Sequence, residues 1–212
     1  MTAADPISAA RLILGGRLRR ETPDGVVVAR IVEVEAYGAG LDTPFPDPAS
    51  HGYRGRTPRN QVMFGEAGHL YVYRSYGIHM CMNISYGPVG RCGGVLLRAM
   101  EIEQGYEVVR ARRGRPLADH RLASGPGNVG TAMGIALSDN GIDVFAAGAV
   151  LRLWPQTLDQ SLIADGPRVG VAMAAERRWR LWVADSPAVS AYRRSPRAPV
   201  DLGNGDAERS VG

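Results

Sequence analysis

At 212 residues, 45% of them apolar and 22% charged, the chain is long enough for one domain with its own core and too apolar to be a largely disordered polymer. Its net charge of +4 sets 25 cationic residues, all of them arginine, against 21 acids. There is no run of about 18 apolar residues and no basic leader followed by an apolar stretch, so neither a membrane span nor a secretory signal is expected.

Cys81 and Cys92 are the only cysteines, too few for a disulfide framework or a thiolate metal site, and a reducing cytoplasm is the simplest setting. The absence of lysine has two readings. Arginine offers a planar, permanently charged fork suited to phosphates and base edges, whereas GC-rich coding would give the same bias without functional meaning. Either way, no side chain can form a Schiff base.

Asp5-Pro6 reads as an N-cap with proline at the first helical position, opening a helix over 7–14 that stops at Gly15-Gly16. Arg17 to Arg20 is expected to pair with Val26 to Ala36 across Pro23-Asp24-Gly25. Residues 38–60 form a long Gly/Pro-rich loop, a length that marks functional or disordered segments. Strands are expected at His69–Tyr73, His79–Ser85 and Gly94–Glu101, the first two joined by a turn at Ser75-Tyr76-Gly77. Glu103–Arg113 and Gly127–Leu137 read as helices, and Val150–Trp154 and Arg180–Ala184 as further strands. The apolar pattern fades after Ser195. The expectation is therefore one α+β domain over residues 1–194, with a mostly antiparallel curved sheet, peripheral helices and a protruding hairpin, followed by a disordered tail over 195–212 that activity does not need.

Charge is unevenly spread. Residues 31–50 carry four acids and no base, residues 51–80 four arginines and one acid, and residues 108–121 five arginines and one aspartate. A positive face beside an acidic pocket suits an enzyme acting on nucleic acid, and a solvated helix end is the plainer reading of 108–121. Glu33 and Glu35 stand two apart on one strand and so share a face. Carboxylates flanked by apolar residues are rarely buried unless paired or functional, and one of them could activate water. The alternative is an exposed glutamate beside a salt-bridged one. Tyr71 and Tyr73 share a strand face and would serve equally as core. Tyr76 falls at a hairpin tip with little to bury against, where an aromatic can stack or wedge between bases. Gly125 to Gly130 fits GxGxxG, but proline interrupts it and no strand precedes it, so no dinucleotide site is read there. His79 and Cys81 lack a third ligand, so no metal is expected.

The segments Arg30 to Tyr37, Arg56-Thr57-Pro58-Arg59-Asn60, Tyr71-Val72-Tyr73, Tyr76-Gly77, Cys81 to Ser85 and Val95 to Ala99 follow one another in an order and spacing that resembles the alkyladenine (3-methyladenine) DNA glycosylase family of monofunctional enzymes. Ser124-Gly125-Pro126, Arg168 to Val171 and Ser186-Pro187 continue the resemblance, which spans about residues 5–192. It implies roles residue by residue. Glu35 resembles the general base, and Arg98 and the Val169 carbonyl resemble the groups that hold the attacking water. Tyr37 and Tyr73 resemble the walls around a flipped base, with His51 lining the same pocket. Asn83 resembles the asparagine that opposes the 2-amino group of guanine, and Tyr76 the wedge that fills the gap in the duplex. Arg56 and Arg59 are expected on DNA. His79 and the 38–50 loop depart from the family pattern.

The function expected is hydrolytic excision of alkylated or deaminated purines (the 3-methyladenine, 7-methylguanine, hypoxanthine and ethenoadenine class) from duplex DNA in base excision repair, leaving an abasic site. No cofactor or metal is expected. The partner is double-stranded DNA with damaged purines, and the enzyme is expected to be monomeric, away from membranes, cytoplasmic and on the nucleoid when bound. A non-catalytic binder of damaged DNA is the alternative, and it would have no use for both Glu35 and Arg98. A nucleoside hydrolase would need neither Tyr76 nor a basic surface.

Overall fold

A computed structural model describes residues 5–199. The first helix, α1 (Pro6–Ile13), begins as its sequence dictates: the Asp5 carboxylate accepts the Ser8 N–H at 2.9 Å, and proline occupies the first turn where no N–H is needed. β1 (Arg17–Thr22) and β2 (Gly25–Tyr37) form the expected hairpin, with Thr22 opposite Gly25. β3 (Leu70–Ser75) and β4 (His79–Ser85) form a second hairpin, and β5 (Gly94–Gln104) lies between β4 and β2. α2 (Tyr106–Arg113) and α3 (Pro126–Ala132) follow, then β6 (Leu151–Trp154), β7 (Ile163–Gly166) and β8 (Arg180–Val183).

Every strand pair is antiparallel, in the order β3-β4-β5-β2-β1-β6, and β8 joins the far half of β2 while pairing with β7 on its other side. β2 therefore has partners along both edges, which explains why its second half is buried at every residue from Ile31 to Ala36. The sheet curls, and alternation along its strands divides two environments. Val72, Met82, Ile84, Val95 and Leu97 enter the main core, which also takes Ala9, Ala10 and Ile13 of α1 and Val129 and Ala132 of α3. Tyr71, Tyr73, Cys81, Asn83, Leu96 and Arg98 face the opposite way and line a cleft.

The structure moves some expected boundaries. β5 runs on to Gln104, and the helix expected from Glu103 starts only at Tyr106, after Gly105 turns the chain at φ 84°. The helix expected over 127–137 stops at Ala132, and Gly134 (φ 60°) redirects the chain after it. The tip of the β3–β4 hairpin is Tyr76-Gly77-Ile78, closed by the Ile78 N–H on the Ser75 carbonyl at 3.0 Å. β7 was not anticipated. Of the expected tail, residues 200–212 lie outside the described residues, and Ser195–Ala198 form a turn in which both end residues are buried. The basic 108–121 segment spends two arginines internally: Arg110 pairs with Glu107 and Asp119, and Arg112 reaches the Ala132 carbonyl and Thr22.

α3 lies directly on β4. A Cβ added to Gly130 would sit 1.9 Å from the Met80 carbonyl oxygen, and one added to Gly127 would sit 2.7 Å from the His79 ring. Helix propensity alone favours Gly130→Ala by about 1 kcal/mol. The obstacle is strand backbone, which cannot swing aside, so the clash should win. Gly130→Ala is expected to destabilise by about 1–3 kcal/mol in urea unfolding.

Candidate active site

Two bulges shape the end of β2. Ile31 pairs with Met100 and Glu33 with Ala99, which leaves Val32 as an extra residue on β2; Glu33 pairs with Ala99 and Val34 with Leu97, which leaves Arg98 as an extra residue on β5. The two offsets are opposite in sense, so the ladder recovers its register and runs on to Tyr37 opposite Gly94. Beyond them, one transverse row joins Tyr71 to Asn83, Asn83 to Leu96, Leu96 to Glu35 and Glu35 to Arg180. Directly paired residues project to one face, so the row sets phenol, amide and leucine side by side on the cleft, with the buried Glu35 carboxylate next in line.

Both glutamates of β2 are fully buried, which removes the alternative of an exposed one. Their tasks differ. Glu33 is saturated: Oε1 accepts Arg98 Nε at 3.0 Å, Arg180 Nε at 2.6 Å and the Ser190 hydroxyl at 2.9 Å, while Oε2 accepts the Ser190 N–H at 2.7 Å. Glu35 has fewer partners and lies behind the cleft wall. Its Oε1 accepts the Val169 N–H at 2.7 Å and stands 3.3 Å from Arg98 Nη1, and its Oε2 accepts the Tyr37 hydroxyl at 2.7 Å. Loss of solvent around the Tyr37 hydroxyl, and then the Glu35 charge, push its pKa well above the ordinary range, so the phenol stays a donor. For Arg98, burial alone would weaken the charge, but Glu35 and then Glu33 more than offset it and hold its pKa above normal.

A second ion pair fastens the long loop. Arg168 is 1% exposed and grips Asp47 with both terminal nitrogens, at 2.6 and 2.9 Å, while Nη1 also donates to the Ala36 carbonyl at 3.1 Å. Its guanidinium stands over the Tyr37 ring at 4.6 Å and the Trp179 ring at 5.3 Å. Asp47 in turn accepts the N–H groups of Gly38 and Ala49. The residues from 38 to 60 are thus an ordered loop, closed further by Asn60, whose side-chain amide reaches the His51 and Gly55 carbonyls. Sequence reasoning missed Asp47 and Ser190. Each is an ordinary polar residue whose partner lies more than a hundred positions away. Arg168 stands out in the sequence only as part of the Arg168 to Val171 motif.

Most of the remaining expected residues converge on one open cleft of about 550 Å³. Tyr37, His51, Tyr73, Tyr76, Asn83, Arg98 and Val169 all line it, with Tyr71, Cys81, Leu96, Pro126 and the 170–173 segment. His51 is exposed at the mouth, with Nδ1 3.1 Å from the Tyr71 hydroxyl and its ring edge-on to Tyr73 at 4.7 Å. Partial loss of solvent, and then the Arg59 charge, lower its pKa, which favours the neutral imidazole at pH 7. Asn83 is 4% exposed and donates to the Tyr71 carbonyl at 3.3 Å. Tyr76 is 95% exposed and holds φ 48°, so it has neither a packing partner nor a relaxed backbone. Ile78 beside it is 74% exposed. Arg59 approaches the Tyr73 ring at 6.0 Å, whereas Arg56 is an exposed loop residue that does not line the cleft. Val169 meets Glu35 through its N–H, while the sequence reading had singled out its carbonyl.

The site thus combines a buried carboxylate behind an aromatic cleft with an exposed tyrosine at the mouth. Comparison with known proteins gives the class. A family profile described as methylpurine-DNA glycosylase (MPG) matches residues 1–187. A protein of Rhodococcus jostii (strain RHA1) is 58% identical over 195 residues, covering 92% of this chain and 85% of its own length. One from Nocardia farcinica (strain IFM 10152) is 58% identical over 196 residues, covering 92% and 91%, and one from Mycobacterium tuberculosis (strain ATCC 25177 / H37Ra) is 51% identical over 198 residues, covering 93% and 95%. All three carry the provisional name 3-methyladenine DNA glycosylase. The chain belongs to the methylpurine-DNA glycosylase family: it is a DNA glycosylase of the 3-methyladenine type, a hydrolase of N-glycosyl bonds in base excision repair.

Asp47 supports the cleft without lining it. Asp47→Ala would leave the Arg168 charge buried and unpaired, and is expected to cost about 3–5 kcal/mol in urea unfolding. Arg178→Ala breaks an ion pair of similar length to exposed Asp165 and should cost less than about 1 kcal/mol.

Proposed function

We propose that the enzyme extrudes a damaged purine from duplex DNA, holds it in the cleft, and cleaves its glycosidic bond with water activated by Glu35. The observation that carries this reading is the Glu35 carboxylate itself. It is fully buried, fixed by the Val169 N–H, the Tyr37 hydroxyl and Arg98, and set immediately behind the cleft wall. Excision by hydrolysis needs a base for water and a negative charge facing the oxocarbenium-like sugar as the bond breaks, and one carboxylate serves both. Arg98 and the Val169 carbonyl hold the attacking water.

Tyr37, Tyr73 and His51 form the walls of the base pocket. Alkylation makes purines such as 3-methyladenine cationic, and aromatic faces attract a cation through their quadrupole. A neutral His51 adds no opposing charge. The substrate class is alkylated and deaminated purines, including 7-methylguanine, hypoxanthine and ethenoadenine. Asn83, held on the floor of the cleft by the Tyr71 carbonyl, excludes normal guanine by opposing its 2-amino group. Tyr76 occupies the space the extruded base leaves, and Arg56 and Arg59 neutralise phosphates. With no lysine side chain for a Schiff base, the reaction ends at an intact abasic site.

Two substitutions test this reading. Glu35→Gln should abolish single-turnover release of hypoxanthine from a duplex while leaving affinity for that duplex within a few fold. Release near the wild-type rate would remove Glu35 from the mechanism, and a wild-type enzyme that binds damaged DNA but releases nothing would favour a pure binder. Tyr76→Gly separates wedge from scaffold. Glycine relieves the positive φ, so the melting temperature should hold or rise, while base release falls by roughly 1–3 kcal/mol in barrier, the range for a stacked aromatic. The deficit should shrink when the damaged base is unpaired, because flipping it then costs less. An equal loss on paired and unpaired substrates would sink the wedge.

A further inference from the structure

The segment after β8 is tied to the active site at two points. At Ser190, its N–H and hydroxyl both donate to Glu33, its carbonyl accepts Arg180 Nη2 at 2.7 Å, and its hydroxyl also accepts Arg98 Nη2 at 3.1 Å. Three residues on, the Arg193 carbonyl accepts the Gly170 N–H at 2.9 Å, and Gly170 lines the cleft beside Val169. The chain then closes the Ser195–Ala198 turn. Its backbone is thereby fixed along the cleft wall, while Arg193, Arg194 and Arg197 are exposed. None of the three makes an ion pair among the described residues, Arg194 donates to the Pro199 carbonyl, and residues 186–199 contain no acid.

We propose that Arg193 and Arg194, with Arg197 beyond them, form a strap that binds the phosphate backbone of duplex DNA along the 169–173 side of the cleft mouth. The 56–59 loop would then be one of two backbone contacts rather than the only one. A base entering the cleft brings its flanking phosphates over the mouth, and a row of exposed guanidinium groups on a pinned backbone meets them without an ordering cost for the chain. The strap contacts phosphate and not bases, so it contributes affinity and register without sequence or damage preference. The proposal rests on the reading of the cleft as the pocket for an extruded base.

The test measures binding of a hypoxanthine-containing duplex and an undamaged duplex by fluorescence anisotropy across a potassium chloride series, for wild type, Arg193→Ala/Arg194→Ala and Arg193→Lys/Arg194→Lys. The alanine pair should reduce the slope of log affinity against log salt by about 2, since each phosphate contact contributes about 0.9. Affinity at 150 mM salt should fall by about five-fold per lost contact, equally for both duplexes. The lysine pair should retain most of the slope, and base release at saturating DNA should match wild type. An unchanged slope in the alanine pair overturns the strap, as does a loss confined to the damaged duplex. Melting temperatures of the variants should stay at the wild-type value because both side chains are exposed. A fall in affinity that tracks a fall in melting temperature, with no change in slope, also counts against the strap. If wild-type enzyme releases no base yet the slope still falls by about 2, the pocket reading fails and the phosphate surface stands.

Discussion

Charge neutrality in the interior behind the cleft governs this molecule. Apart from the Arg20–Asp139 pair, Glu33, Glu35 and Asp47 on the acidic side and Arg98, Arg168 and Arg180 on the basic side are all at most 6% exposed, three against three. They form two linked groups. Arg98 joins Glu33 to Glu35, and Arg168 joins Asp47 to the backbone of the residue next to Glu35. Burying so many ions gains little net stability, because desolvation consumes most of the attraction. What the arrangement supplies is position. With Glu33 taking two arginines and two groups of Ser190, Arg98 is fixed from behind, and Glu35 is left with its lone pairs directed by a backbone N–H, a phenol and one guanidinium nitrogen.

Backbone irregularity makes that arrangement possible. In a regular antiparallel ladder Arg98 would stand opposite a single β2 residue. As a bulged residue it falls between the partners of Glu33 and Val34 and reaches both carboxylates. The offset at Val32 restores the register, so Leu96 still meets Glu35 and Asn83 on either side. The same alternation that packs Val72, Met82 and Leu97 against the helices delivers Tyr73, Cys81 and Arg98 to the cleft. Core and site are two faces of one sheet, so a change that loosens the first is transmitted to the second.

Much of this was legible in the sequence. α1 and β1 to β6 fall within two or three residues of their expected bounds, because an Asp-Pro cap, a Pro-Asp-Gly turn and alternating apolar residues are local signals. β7 was not legible: Ile-Ala-Asp-Gly has no alternation to speak of and follows a polar stretch, and it becomes a strand only because β8 is there to pair with it. The helix over 127–137 was overextended because glycine at 134 ends it through φ rather than through polarity. Motif resemblance brought Glu35, Tyr37, His51, Tyr73, Asn83 and Arg98 together, and the fold places all but Glu35 on the surface of one cleft, with Glu35 directly behind. Asp47 and Ser190 escaped notice because pairing over 121 and 157 positions leaves no trace in spacing. The bulges escaped for a related reason, since register is a property of two strands and neither strand announces it alone.

The β3–β4 turn couples two properties that seem separate. Its three residues set the pairing of Ser75 with His79, and that pairing, carried down the hairpin, brings Tyr71 opposite Asn83 and Tyr73 opposite Cys81. A strand shifted by a single residue turns every side chain to the other face. One residue gained or lost at the tip would therefore send Asn83 toward the core and draw Met82 or Ile84 into the cleft. Replacement of Tyr76 leaves that ladder intact. The hairpin tip is thus open to variation in chemistry and closed to variation in length. A lineage in which this loop keeps three residues while their identities drift would be altering how the protein meets its substrate from outside, with the chamber behind it held constant.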